Sequence, residues 1–196
     1  MKLNILFTAG VFAAITAVPA AATELVYTGK LSGASEAPPN TSPGSGSVTV
    51  TIDTDHTTMR VQESFSGLTT NTTAAHIHCC TVAPDTGTAG VATTTPTFTD
   101  FPLNVMAGSY NHTFDMTSTS SYNPAFIAAS GGSVSGAFAA LVAGLDNGTA
   151  YSNIHTTAFP MGEIRGFLAP VPEPETYSML LAGLAALSMF LRRKQV

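Results

Sequence analysis

Charge is scarce in this chain. Only 10% of its 196 residues are Asp, Glu, Lys or Arg, against about 25% in average soluble domains, and Thr, Ser, Ala and Gly take their place. The surface is therefore hydroxyl-rich. Positive charge is scarcer still: once Lys2 and the terminal run Arg192, Arg193 and Lys194 are set aside, only Lys30, Arg60 and Arg165 remain. Phosphate backbones are held by clustered Lys and Arg, so nucleic acid is a poor partner. Cysteine is nearly absent, and the two present, Cys79 and Cys80, are adjacent. They cannot staple distant parts of a small secreted fold, so a packed core must hold the domain together. An adjacent pair can close a vicinal disulfide, bind a metal together, link two copies of the chain, or stay reduced as small buried groups. Trp is missing altogether, which decides nothing. Missing too are a Gly-x-Ser-x-Gly elbow, a His-Glu-x-x-His helix and a glycine-rich phosphate loop. No repeat of fixed period is visible.

What is present begins with the two ends. Lys2, an apolar stretch from Leu3 to Val18 and small residues at Ala20 and Ala22 form a secretory signal, with cleavage by signal peptidase expected before Thr23. At the other end Pro170 to Glu175 reads P-V-P-E-P-E, Tyr177 to Leu191 is almost entirely apolar, and Arg192, Arg193 and Lys194 follow at once. A helix over 177–191 rises only about 22 Å, against about 30 Å of hydrocarbon. It is a short transmembrane helix whose flanking Tyr177 and basic side chains bridge the shortfall. The basic run keeps the tail cytoplasmic, so the domain faces outward. The expected organisation is a signal peptide over 1–22, one folded domain over 23–169, and a sorting and anchor segment over 170–196.

The tail resembles the PEP-CTERM sorting signal of Gram-negative bacteria, with Pro172, Glu173 and Pro174 as the motif. The resemblance implies handling by an exosortase-type transpeptidase and transient anchorage in the inner membrane. It also implies a destination at the outer surface, in the cell envelope or in an extracellular exopolysaccharide matrix. Prolines keep the motif extended, which suits presentation of its backbone to a protease.

Between the ends, apolar and polar residues alternate as in strands with one buried face. Leu25, Tyr27 and Leu31 make one row; Val48, Val50 and Ile52 a second; Met59, Val61 and Phe65 a third, which stops at Gly67. Ser35 to Gly46 is a loop by composition, and Asp53, Thr54 and Asp55 form a hairpin turn. Tyr110, His112, Phe114 and Met116 make a further strand, after a Thr-, Gly- and Pro-rich stretch from Thr81 to Pro102. From Ser133 to Leu145 the spacing becomes helical, with Asp146, Asn147 and Gly148 as the stop. Two closing strands, Ala150 to Thr156 and Gly162 to Leu168, are joined by a turn around Pro160. Short strands with one short helix predict an all-β fold, an antiparallel β-sandwich of immunoglobulin-like or superoxide-dismutase-like type.

Chemistry gathers at histidine. In Ala75-His76-Ile77-His78 the two imidazoles leave a strand on one face while Ile77 enters the other. His155, beside Ile154, is a third candidate, and three imidazoles from two strands suit Zn²⁺ or copper. A cysteine thiolate could add to such a set, whereas hydrogen bonding across a sheet is the plainer role for strand histidines. Glu163 and Arg165 share a face of the last strand, free to pair with each other or with a neighbouring His. Asn-x-Thr/Ser sequences at Asn40, Asn71, Asn111 and Asn147 are read as coincidence in a Thr-rich chain.

The segments Ala75 to His78, Ala150 to Thr156 and Gly162 to Leu168 resemble the CHRD (chordin-type) domain. Two turns differ: Cys79-Cys80 stands where Gly-Pro is common, and Pro160-Met161-Gly162 replaces a double glycine. The resemblance implies a β-sandwich of extracellular matrix-like proteins. The expected function is a non-enzymatic binding or structural role for an envelope- or matrix-displayed domain, with exopolysaccharide or surface proteins as partners. The alternative is a mononuclear Zn or Cu protein with redox activity through His76, His78 and His155. A dinuclear copper–zinc centre needs more imidazoles than the five available.

Overall fold

The computed structural model describes residues 24–172, together with Gly183 and Leu184. The signal segment over 1–22, the transmembrane helix expected over 177–191, and Glu173, Pro174, Arg192, Arg193 and Lys194 lie outside the described residues. Among those described, no helix is long and apolar enough to cross a membrane.

The alternating rows are strands: β1 (Glu24–Ser32), β2 (Ser45–Asp53), β3 (Thr58–Ser66), β4 (Thr72–His78), β5 (Gly108–Asp115), β6 (Tyr151–Thr156) and β7 (Ile164–Phe167). A two-residue strand β8 (Ala169–Pro170), which no alternation announces, pairs with β1. All pairings are antiparallel, in the order β4-β6-β7-β1-β2-β3-β5. Side chains of one parity form the core, through cross-strand pairs such as Val50 with Val61, Ile52 with Met59 and Met59 with Phe114. The other parity puts Ser47, Thr49, Thr51, Gln62 and Ser64 outside, which is where the hydroxyl-rich composition goes.

One hydrogen bond reports the shape of the sheet. Ser152 Oγ on β6 donates to Glu63 Oε1 on β3 at 2.7 Å, buried, although β7, β1 and β2 separate these strands in the ladder. The sheet therefore curls back on itself, and its two halves enclose the core as in a sandwich. The expected helix is α2 (Val134–Asp146). Ser133 caps its start by accepting from Gly136 N, and Asn147 and Gly148 end it, Gly148 at φ +65°. A six-residue helix, α1 (Pro124–Ala129), precedes it, with Asn123 as N-cap and proline in its first turn. Ala137, Leu141 and Leu145 of α2 pack into the core, and Tyr27 donates its hydroxyl to Asp146 at 2.6 Å.

Candidate functional site

The β4–β6 register sets His155 opposite Ala74, Asn153 opposite His76, and Tyr151 opposite His78. Directly opposed residues share a face, so His76, His78, His155, Asn153 and Tyr151 converge on the side of the sheet away from Ile77 and Ile154. That side is covered by the stretch after β4 and by the 157–162 turn. Their backbones supply a carbonyl for each ring. His76 Nε2 donates to Pro96 O at 2.7 Å, His78 Nδ1 to Ala89 O at 3.0 Å, and His155 Nδ1 to Pro160 O at 3.0 Å.

A carbonyl only accepts, so each of these ring nitrogens carries the hydrogen. The lone pairs are thereby left on His76 Nδ1, His78 Nε2 and His155 Nε2. These three atoms are buried and have no hydrogen-bond partner in the protein. One nitrogen from each ring lies within 4.8 Å of the others. Burial pushes His76 and His78 down to about 4, against the opposing pull of their carbonyls, and it lowers His155 as well. The rings are therefore neutral near pH 7, with lone pairs free. Metal-binding imidazoles are typically oriented in this way, by a hydrogen bond from the second nitrogen to a carbonyl or carboxylate.

A second layer steadies the carbonyls. Tyr151 stacks on His78 with centroids 4.8 Å apart and planes 5° apart, while its hydroxyl accepts from Ala89 N at 3.2 Å and donates to Ala89 O at 3.3 Å. The Arg165 guanidinium lies over Tyr151 at 4.8 Å. It donates to Ser35 O and to Gly87 O, and it faces Glu36 at 4.0 Å. Burial raises Glu36 to about 7 despite Arg165. Glu163 does not meet Arg165. Its fully buried carboxylate accepts from Ser42 Oγ, Thr69 N and Thr156 Oγ1, each at 2.6 Å. Burial alone would raise this group, but the hydrogen bonds outweigh it and hold Glu163 below the usual carboxylate range.

The cysteines take no part in the histidine set. Cys79 and Cys80 are disulfide-bonded to each other, so neither is free to supply a thiolate or to link copies of the chain. Alternation turns Cys79 to the face opposite His78, where a Cβ added to Gly144 of α2 would come within 2.3 Å of its sulfur. Of the remaining histidines, His56 sits on the exposed β2–β3 turn against Asp53 and His112 lies on β5. Composition and spacing do not mark Glu36 or the three loop carbonyls, because backbone acceptors carry no side-chain signal.

An all-β domain with a polar cluster under its loops, continued by a proline-rich tail, is the class these features define. The CHRD domain model matches residues 27–168, and the PEP-CTERM protein-sorting motif matches residues 170–194. The chain belongs to the CHRD domain family. Its tail is a sorting signal for an exosortase-type system, which marks the protein as exported and sorted to the cell surface. No curated protein and no solved structure matches the chain.

Proposed function

We propose that this protein is a surface- or matrix-displayed domain with a non-enzymatic binding role, and that it binds one zinc or copper ion through His76, His78 and His155. The observation that carries the reading is that one nitrogen from each of the three rings lies within 4.8 Å of the others, while each ring keeps one buried nitrogen without a hydrogen-bond partner. Each buried acceptor left without a donor costs about 1–3 kcal/mol. A metal ion satisfies all three at once. Metal–nitrogen bonds of about 2.0 Å place three in-plane nitrogens about 3.5 Å apart, so the rings need only draw together slightly.

Burial argues for binding rather than catalysis. A catalytic metal keeps a position open to substrate or water, whereas these nitrogens are shut away from solvent. The sorting tail supports transient anchorage in the inner membrane and display on the outer envelope of a Gram-negative cell. The hydroxyl-rich outer strand face suits neighbours such as exopolysaccharide or other surface proteins. The test is elemental analysis of the exported chain recovered from its host. Close to one equivalent of Zn or Cu is expected, lost in the H76A/H78A double variant with the circular dichroism of the sheet retained. Metal content unchanged by that double substitution refutes the assignment.

A further inference from the structure

The charge around the three nitrogens narrows the choice of ion, an inference that rests on the metal-binding reading above. All three donors are neutral. Among the described residues no carboxylate or thiolate completes the set, and both sulfurs are engaged with each other. Of the nearby carboxylates, Glu163 is held by Ser42, Thr69 and Thr156, whereas Glu36 faces Arg165 through Oε2 at 4.0 Å and keeps a buried Oε1 without a hydrogen-bond partner. The fixed charge stacked behind the site is cationic, Arg165 on Tyr151 and Tyr151 on His78.

Two consequences follow for an ion placed among the nitrogens. The cost of burying an ion grows with the square of its charge, so a divalent ion is penalised about four times as heavily as a monovalent one. Here no anionic ligand offsets the difference, and Arg165 adds to it. Coordination number points the same way. Zn²⁺ takes four ligands, so beyond the imidazoles it would need the neutral amide oxygen of Asn153, buried and unpaired on the same face, or water drawn into a pocket closed to solvent. Monovalent copper, a filled-shell ion, is satisfied by two or three nitrogen donors.

We propose that the site selects Cu(I) over Zn²⁺, holding it as a three-coordinate, water-free ion on His76 Nδ1, His78 Nε2 and His155 Nε2. Tyr151 and Arg165 act as positioning residues. Cu(I) binds as such, with no change of oxidation state at the site.

The full-length chain in detergent, disulfide intact, is titrated with Cu(I) against bicinchoninate. Ascorbate keeps the copper monovalent without adding a thiol. Zn²⁺ is titrated in parallel against a pyridylazo dye. One equivalent of Cu(I) is expected, with a Kd at least about 100-fold below that for Zn²⁺. The C79S/C80S variant should bind it equally, and H155Q should lose it. Copper K-edge absorption of the wild-type protein should report three nitrogen scatterers and no sulfur, which decides the matter even where H155Q fails to fold. Zinc bound as tightly as Cu(I) overturns the selectivity while leaving the metal-binding role standing. Binding of neither ion overturns both. A sulfur or fourth light-atom scatterer, or copper undiminished in a folded H155Q, overturns the assigned geometry.

Discussion

Replacing Tyr151 by Phe removes one oxygen and leaves the ring that stacks on His78. The hydroxyl holds Ala89 through both its N–H and its carbonyl, at 3.2 and 3.3 Å, and that carbonyl fixes the hydrogen on His78 Nδ1. Both bonds are long, so their combined loss destabilises the fold by about 1–2 kcal/mol. The larger effect falls on the metal. Groups that orient a metal-binding imidazole are worth about 10–100-fold in affinity. His78 keeps its stack and its carbonyl in Y151F, so the lower end applies, and Kd should rise about tenfold. Chelator competition at pH 7 reads the affinity, and urea denaturation in EDTA reads the stability of the metal-free chain. An affinity unchanged while stability falls would show that Ala89 does not position His78, and the layered account of the site would fail.

Glu63 tests the core beneath. Burial raises it from 4.5 to about 7, so between those values the unfolded chain is ionised while the folded chain keeps its proton. Its contribution to stability is full below about pH 4.5 and is lost as pH rises through 7, a change of up to about 3 kcal/mol. Glu36 is raised in the same direction, while the lowered His76, His78 and His155 gain stability as pH rises, so the quantity to read is the difference between variants. The urea stability of metal-free E63Q minus that of wild type should rise by up to about 3 kcal/mol between pH 4.5 and 8, and a difference independent of pH contradicts the assignment. E163Q puts an amide where Ser42, Thr69 and Thr156 all donate, and should cost about 2–4 kcal/mol in urea denaturation at pH 7. G144A gains up to about 1 kcal/mol of helix propensity but forces a methyl onto both sulfurs at 2.3 and 2.6 Å, so it should lower stability by about 1–3 kcal/mol while the disulfide is closed. A more stable G144A would mean that α2 does not pack on the disulfide.

What was legible in the sequence follows from period. β1, β2, β3, β5 and α2 show themselves because each repeats its apolar residues over its own period, and β4, β6 and β7 because short apolar segments stand between turn signals, whereas β8 is too short to have a pattern. The helix α1 leaves only the local cue of Asn123 before Pro124. Alternation puts His76 and His78 on one face and Ile154 beside His155, so the three candidates are readable. Their meeting is not readable, because it depends on the pairing of Ala74 with His155 across 80 residues of intervening chain. Nor is the state of their nitrogens, which is decided by carbonyls of Ala89, Pro96 and Pro160 in segments whose Thr, Gly and Pro content marks only a connection. The cysteines show both sides of this limit. The same alternation that groups the two imidazoles turns Cys79 away from them, which denies the metal a thiolate. Where Cys79 then packs depends on Gly144, and so on a helix–strand contact that no local pattern contains.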